Sequence, residues 1–147
     1  MRIAVGADER LSVVEAVLEA LKAKGHQFVW HGPDAGETEP WPEVARRVAL
    51  DVQSGKADEG ILLCWTGTGV SIAANKVRGI RAALCEDAET ARGARLWNDA
   101  NVLCLSMRRI SEAIAREILE MWFDAAYEPN ESDDACLRLV DSMENPS

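Results

Sequence analysis

Five short apolar runs, separated by amphipathic stretches, constrain this chain more than any other feature. They are "RIAVGA" (2–7), "QFVWH" (27–31), "GILLC" (60–64), "IRAALC" (80–85) and "NVLCLS" (101–106). Polarity within them is mostly continuous rather than alternating, as in parallel strands covered on both faces. Helical patterns lie between them. Val14, Val17, Leu18 and Leu21 follow the spacing of one buried helix face. Ser12 and Glu15 are spaced as a capping box before that face, and Gly25 suits its end. Pro42 suits the first turn of a second helix that carries Val44, Val48 and Val52 inward and ends near Gly55. A third pattern covers 87–98, and Ile114, Ile118, Met121 and Trp122 stripe a fourth. The segment "ESDD" opens a final helix, about 132–144, with an apolar face of Cys136, Leu139, Val140 and Met143 and with acids favouring its dipole. Strand and helix alternate five times, which predicts an α/β sandwich around a five-stranded parallel sheet.

At 147 residues, with no linker, repeat or low-complexity segment, the chain reads as one domain, 1–147. Its 16 basic and 25 acidic residues leave a net charge of −9, which argues against nucleic acid and against an anionic membrane surface. The N-terminal stretch lacks the pattern of a signal peptide, and no apolar run nears the roughly 20 residues of a membrane span. The expectation is a cytoplasmic protein. Cys64, Cys85, Cys104 and Cys136 form no CxxC pair, and with only two histidines a metal site is not expected. Cys85, Cys104 and Cys136 read as small buried hydrophobes in a reducing compartment.

In parallel sheets of this kind, ligands bind beyond the carboxyl ends of strands where strand order reverses. Asp8, Glu9, His31, Cys64 and Asp87 all fall at expected strand ends, and adjacency of the first and third strands would join Asp8 to Cys64. The loop after Cys64, "WTGTG", fits no nucleotide motif. A Walker A loop needs a lysine directly after its last glycine, whereas Lys76 comes seven residues after Gly69. A dinucleotide fingerprint belongs near the first strand, and here the glycines follow the third. Two glycines at a helix start still let backbone N–H groups approach an anion, including an enolate formed during a reaction. A thiol beside such a nest is placed to move a proton, and on spacing alone a buried structural cysteine fits equally well.

The segment 60–110, "GILLCWTGTGVSIAANK" through "GIRAALC" to "LWNDANVLCLSMRRI", resembles the ribose-5-phosphate isomerase B family, which includes galactose-6-phosphate isomerase subunits. The family pattern is C-G-T-G-x-G-x-S-I-x-A-N-K, then G-I-R-A, then H-N-D-x-N-V-L. "MRIAVGADER" is similar to the family's opening strand, and "EPWPEVA" stands where the family has D-Y-P-x-Y-A. The resemblance implies a Rossmann-like three-layer α/β/α sandwich that works as a homodimer or tetramer, with the final helix packing at a subunit interface. It implies isomerisation of an aldose to a ketose through an enediolate, on a sugar or sugar phosphate and with no cofactor. It makes Cys64 the proton-transferring base, and assigns Thr66, Gly67, Thr68 and Gly69 to the enediolate oxygens. Asp8 and Asn98 become substrate-binding residues.

Departures from that pattern bear on the substrate. Trp97 stands at the position of the ring-opening histidine, and an indole N–H only donates. Glu9 replaces a histidine beside Asp8. Glu131 and Ala135 replace phosphate-binding arginines, with Asp133 and Asp134 between them, where carboxylates repel a phosphate. Trp65 replaces the first loop glycine, at the mouth of the site. Three readings follow: an isomerase for an open-chain or unphosphorylated sugar, a subunit completed by a paralogue, or a sugar-binding homologue without turnover. His31 reads as a satisfied strand-end residue, and His26 as solvent-facing. Trp30, Trp41 and Trp122 read as core or interface aromatics. Arg95 and Arg108 match family arginines, with salt bridges as the alternative role.

Overall fold

The computed structural model describes residues 1–145. Its elements follow in order β1 (Arg2–Ala7), α1 (Ser12–Ala23), β2 (Gln27–Trp30), α2 (Trp41–Gln53), β3 (Glu59–Cys64) and α3 (Thr68–Ala74). There follow β4 (Ala82–Leu84), α4 (Ala88–Asn98), β5 (Val102–Ser106), α5 (Glu112–Asp124) and α6 (Glu131–Ser142). The strands pair in parallel in the order β2-β1-β3-β5-β4. The expected three-layer architecture with five parallel strands is the one observed.

Both faces of the sheet are covered, which explains the unbroken apolar runs. One core layer joins β1, β3 and β5 to α1, α4 and α5 through residues such as Ile3, Leu21, Leu63, Leu103 and Ile118. The other joins the sheet to α2 and α3 through Val44, Val48, Leu62, Val70 and Cys104. Each large aliphatic side chain buried this way contributes about 1.5–3 kcal/mol. A Cβ on Gly6 would lie 2.5 Å from Val44 Cγ1, and one on Gly60 would lie 2.7 Å from Val48 Cγ1. The bare strands at these positions let α2 lie close on β1 and β3.

The helix ends differ in places from the expected caps. Leu11, not Ser12, caps α1, with no side-chain bond, because Arg10 claims Glu15 at 2.5 Å. The capping box does not form. Pro42 does occupy the first turn of α2, and the Asp87 carboxylate accepts from Thr90 N–H at 2.7 Å to cap α4. Asn130 caps α6, which begins one residue before the expected 132 and ends at Ser142. No residue of α6 is buried, so Cys136 is exposed rather than core. His26 is half-buried, stacked on Phe123 at 4.3 Å, rather than solvent-facing. Trp122 is fully buried, whereas Trp30 is half-buried and Trp41 exposed at the start of α2.

One polar cluster crosses the core. Glu59, opening β3, pairs with Arg95 at 3.1 Å and accepts from Trp122 Nε1 at 2.8 Å. The Arg95 guanidinium lies over the Trp122 ring and donates to Ala100 O. Arg95 is therefore a buried bracket between α4 and β3.

Candidate active site at the ends of the first and third strands

The chain leaves β1 toward β2 on one side and returns to β3 on the other, so the strand order reverses between β1 and β3. Crevices at such points open beyond the strand carboxyl ends. Ala7 pairs with Leu63, which brings Asp8 beside Cys64. The Asp8 carbonyl accepts from Glu39 N–H at 3.0 Å, and Glu9 makes an antiparallel bridge to Thr38, so the segment before α2 folds over this end. Asp8 Oδ1 is buried without a hydrogen-bond partner. Burial pushes its carboxyl above the ordinary range, and the neighbouring Glu9 adds to the shift.

Cys64 is 4% exposed, and its Sγ accepts from Gly67 N–H at 3.2 Å. Gly67 has φ +75°, and a Cβ there would meet Leu84 Cδ1 at 2.5 Å and the Leu105 carbonyl carbon at 3.0 Å. Only glycine turns the loop back so that its amide reaches the thiol. The Thr66 and Thr68 hydroxyls bond at 2.7 Å. Gly69 lies under the Trp41 ring, with a Cβ position 3.0 Å from it. The Trp65 side chain is 57% exposed, and its carbonyl accepts from both Arg108 N–H and Ser106 Oγ at 3.0 Å.

The structure thus gathers Asp8, Glu9, Cys64, Trp65, Thr66, Gly67, Thr68 and Gly69 at one end of the sheet. It does not bring Trp97 and Asn98 to them. Both end α4, where they line grooves with Ala83, Leu84 and, on α6, Cys136 and Val140, and neither groove includes Cys64. The Trp97 indole folds over Gly93, where a Cβ would come within 2.7 Å of it, and remains 59% exposed. A groove of about 630 Å³ lies elsewhere, along the outer face of β2, with His31 held by Asp51 at 2.6 Å. His31 is satisfied, as its position at the strand end implies.

Burial pushes the Cys85 thiol up to about 12, and Cys104 is fully buried, so neither offers a reactive thiol beside Cys64. Among the described residues no group of three or more His, Cys, Asp or Glu is arranged to hold a metal, and no helix is long and apolar enough to cross a membrane. Ser106 and the amides after it escaped sequence reading. Their only signal was a polar residue closing an apolar run.

The family model described as Ribose/Galactose Isomerase matches residues 3–138. The chain is 41% identical over 130 residues to the D-erythrulose-4-phosphate isomerase of Pectobacterium atrosepticum, covering 87% of this chain and 86% of that one. It is 33% identical over 132 residues to the 4-deoxy-4-sulfo-D-erythrose isomerase of a Clostridium species, covering 88% and 83%. The structure of the Trypanosoma brucei type B ribose 5-phosphate isomerase superposes with a TM-score of 0.92 at 40% identity, over 97% of this chain and 98% of that one. With sequence and fold matched across nearly its whole length, the chain belongs to the Ribose/Galactose Isomerase family of sugar-phosphate isomerases.

Proposed function

We propose that this isomerase interconverts the aldose and ketose forms of an open-chain four-carbon sugar that carries an anionic group at its last carbon. The observation that carries the reading is Trp97, an exposed indole at the position of the ring-opening histidine. An aldose whose fourth carbon bears a phosphate ester or a sulfonate has no free hydroxyl there. It cannot close a five-membered ring, so it needs no acid–base group to open one. The names of the Pectobacterium and Clostridium relatives describe substrates of this kind.

In the reaction, the Cys64 thiolate removes the proton from C2 of the aldose, and the electron pair moves into the C1 carbonyl to give the enediolate. The proton returns to C1 while the O2 proton passes to O1, so C1 is reduced, C2 is oxidised and no external oxidant is used. Thr66 and the amides of Thr68 and Gly69 stabilise the oxygen charge, while the Gly67 amide donates to Cys64 Sγ. Asp8, with its unpartnered oxygen, accepts a substrate hydroxyl, and Glu9 stands beside it. Trp65 walls the mouth. Trp97 and Asn98, at the C-terminal end of α4, reach the site from a second copy of the chain, the arrangement that the family resemblance implies. The anionic end falls to Arg108, exposed and tied to the loop through its amide.

The test is turnover in deuterated water with D-erythrulose 4-phosphate and with ribose 5-phosphate. The expected result is label entering the four-carbon sugar, with a kcat/KM at least about 100-fold above that for ribose 5-phosphate, and none with Cys64→Ala. A preference for ribose 5-phosphate would overturn the substrate; full exchange by Cys64→Ala would overturn the base.

A further inference from the structure

Ser106 is one of two buried polar or charged residues among the described residues. It closes β5 opposite Cys64 in the ladder. Its Oγ donates to Trp65 O at 3.0 Å, the same carbonyl that accepts from Arg108 N–H at 3.0 Å. One residue back, Met107 N–H donates to Cys64 O at 2.9 Å. The two carbonyls after the thiol are therefore both drawn toward β5, and the second receives two donors.

The direction of a trans peptide's N–H is opposite to that of its C=O, and the chain has no cis peptide bond among the described residues. With Cys64 O and Trp65 O both held on the β5 side, the N–H groups of Trp65 and Thr66 face away from β5. That is the β1 side, where Asp8 ends its strand. An uninterrupted parallel strand would alternate these directions, so two successive amides facing one way are a product of the clamp. Neither amide donates to a backbone or side-chain acceptor among the described residues. Successive N–H groups turned to one side form an anion-binding concavity.

We infer that Ser106 is a positioning residue that holds the Trp65 carbonyl so that the Thr66 amide points at the developing enediolate oxygen. The inference rests on the isomerase reading above. A preorganised donor acts on the charge that develops in the transition state, so its loss lowers kcat more than it raises KM. The exposed Trp65 side chain takes no part; its backbone is the element being fixed.

The test compares the parent protein with Ser106→Ala, and with Ser106→Cys, which keeps the size and shape but donates weakly. D-erythrulose 4-phosphate is the probe. The expected result for both variants is a kcat lower by about 10- to 100-fold, with KM within about 2-fold and thermal unfolding close to the parent's. If both variants keep the parent's kcat while Cys64→Ala is inactive, the positioning role is overturned and the isomerase reading stands. If KM rises while kcat holds, the hydroxyl serves ground-state binding and the inference also fails. If the parent protein itself does not turn over D-erythrulose 4-phosphate, the isomerase reading falls and the inference with it.

Discussion

Arg95 of α4 and Glu59 of β3 meet at 3.1 Å beside Trp122, in a part of the core where both side chains are nearly closed off from water. Burial pushes the Glu59 carboxyl up, and Arg95 opposes that shift. Removing the cation alone leaves a buried carboxylate. Arg95→Met is expected to cost about 3 kcal/mol near pH 8. Glu59 would then have a folded-state value further above its ordinary 4.5, so its contribution is intact at low pH and declines as pH rises through that value. Urea titrations at pH 5 and pH 8 check the sign: the deficit should be smaller at pH 5.

Asp8 holds a buried oxygen with no partner, and its carboxyl is raised by that burial. Its contribution to stability is complete below the ordinary 3.8 and declines as pH rises through the raised folded value. Asp8→Asn is therefore expected to melt at a higher temperature than the parent at pH 7, with the gap closing toward pH 3. The same variant should lose at least about 100-fold in kcat/KM, a trade of activity for stability that is common at binding sites. Calorimetry and turnover on one preparation measure both.

Gly67 adopts φ +75° with Leu84 and Leu105 packed against the place a Cβ would fill. The left-handed conformation costs a non-glycine residue about 1–2 kcal/mol before any clash is counted. Gly67→Ala is expected to lower stability by at least about 2 kcal/mol and to pull the amide from Cys64 Sγ. Denaturant midpoints together with kcat separate the two effects, since a purely thermodynamic loss leaves the folded enzyme's kcat unchanged.

Along α6, Leu139 is 65%, Val140 43% and Met143 75% exposed. Apolar rows of this kind on a helix mark an interaction surface. We propose that this face joins copies of the chain, and Leu139→Glu combined with Met143→Glu is then expected to lower the mass seen in sedimentation velocity while leaving the circular dichroism intact. If the parent chain itself sediments as a monomer, the proposed role of this face is wrong.

The order of elements was legible in the sequence because strands covered on both faces must be apolar without alternation, and each helix must keep one apolar stripe. Pro42 and Gly25 marked helix ends through local backbone chemistry that needs no partner from afar. The proximity of Asp8 to Cys64 was conditional on adjacency of the first and third strands, which the folded sheet supplies. Local pattern misled where a neighbour competed. Glu15 goes to Arg10 instead of completing a capping box, and Cys136 sits on a face that nothing within this chain covers.

The sequence by itself determined the layers of the sheet and the cysteine-glycine loop, since periodicity and glycine spacing are properties of neighbouring residues. Only the tertiary structure decided the strand order, which sets β5 between β3 and β4, and with it the partners of that loop. Ser106 bonds Trp65 across 41 residues of sequence, and Glu59 bonds Trp122 across 63. Such contacts arise when the folded sheet lays distant segments side by side in a dry interior, where each polar group must find a partner or pay the cost of desolvation.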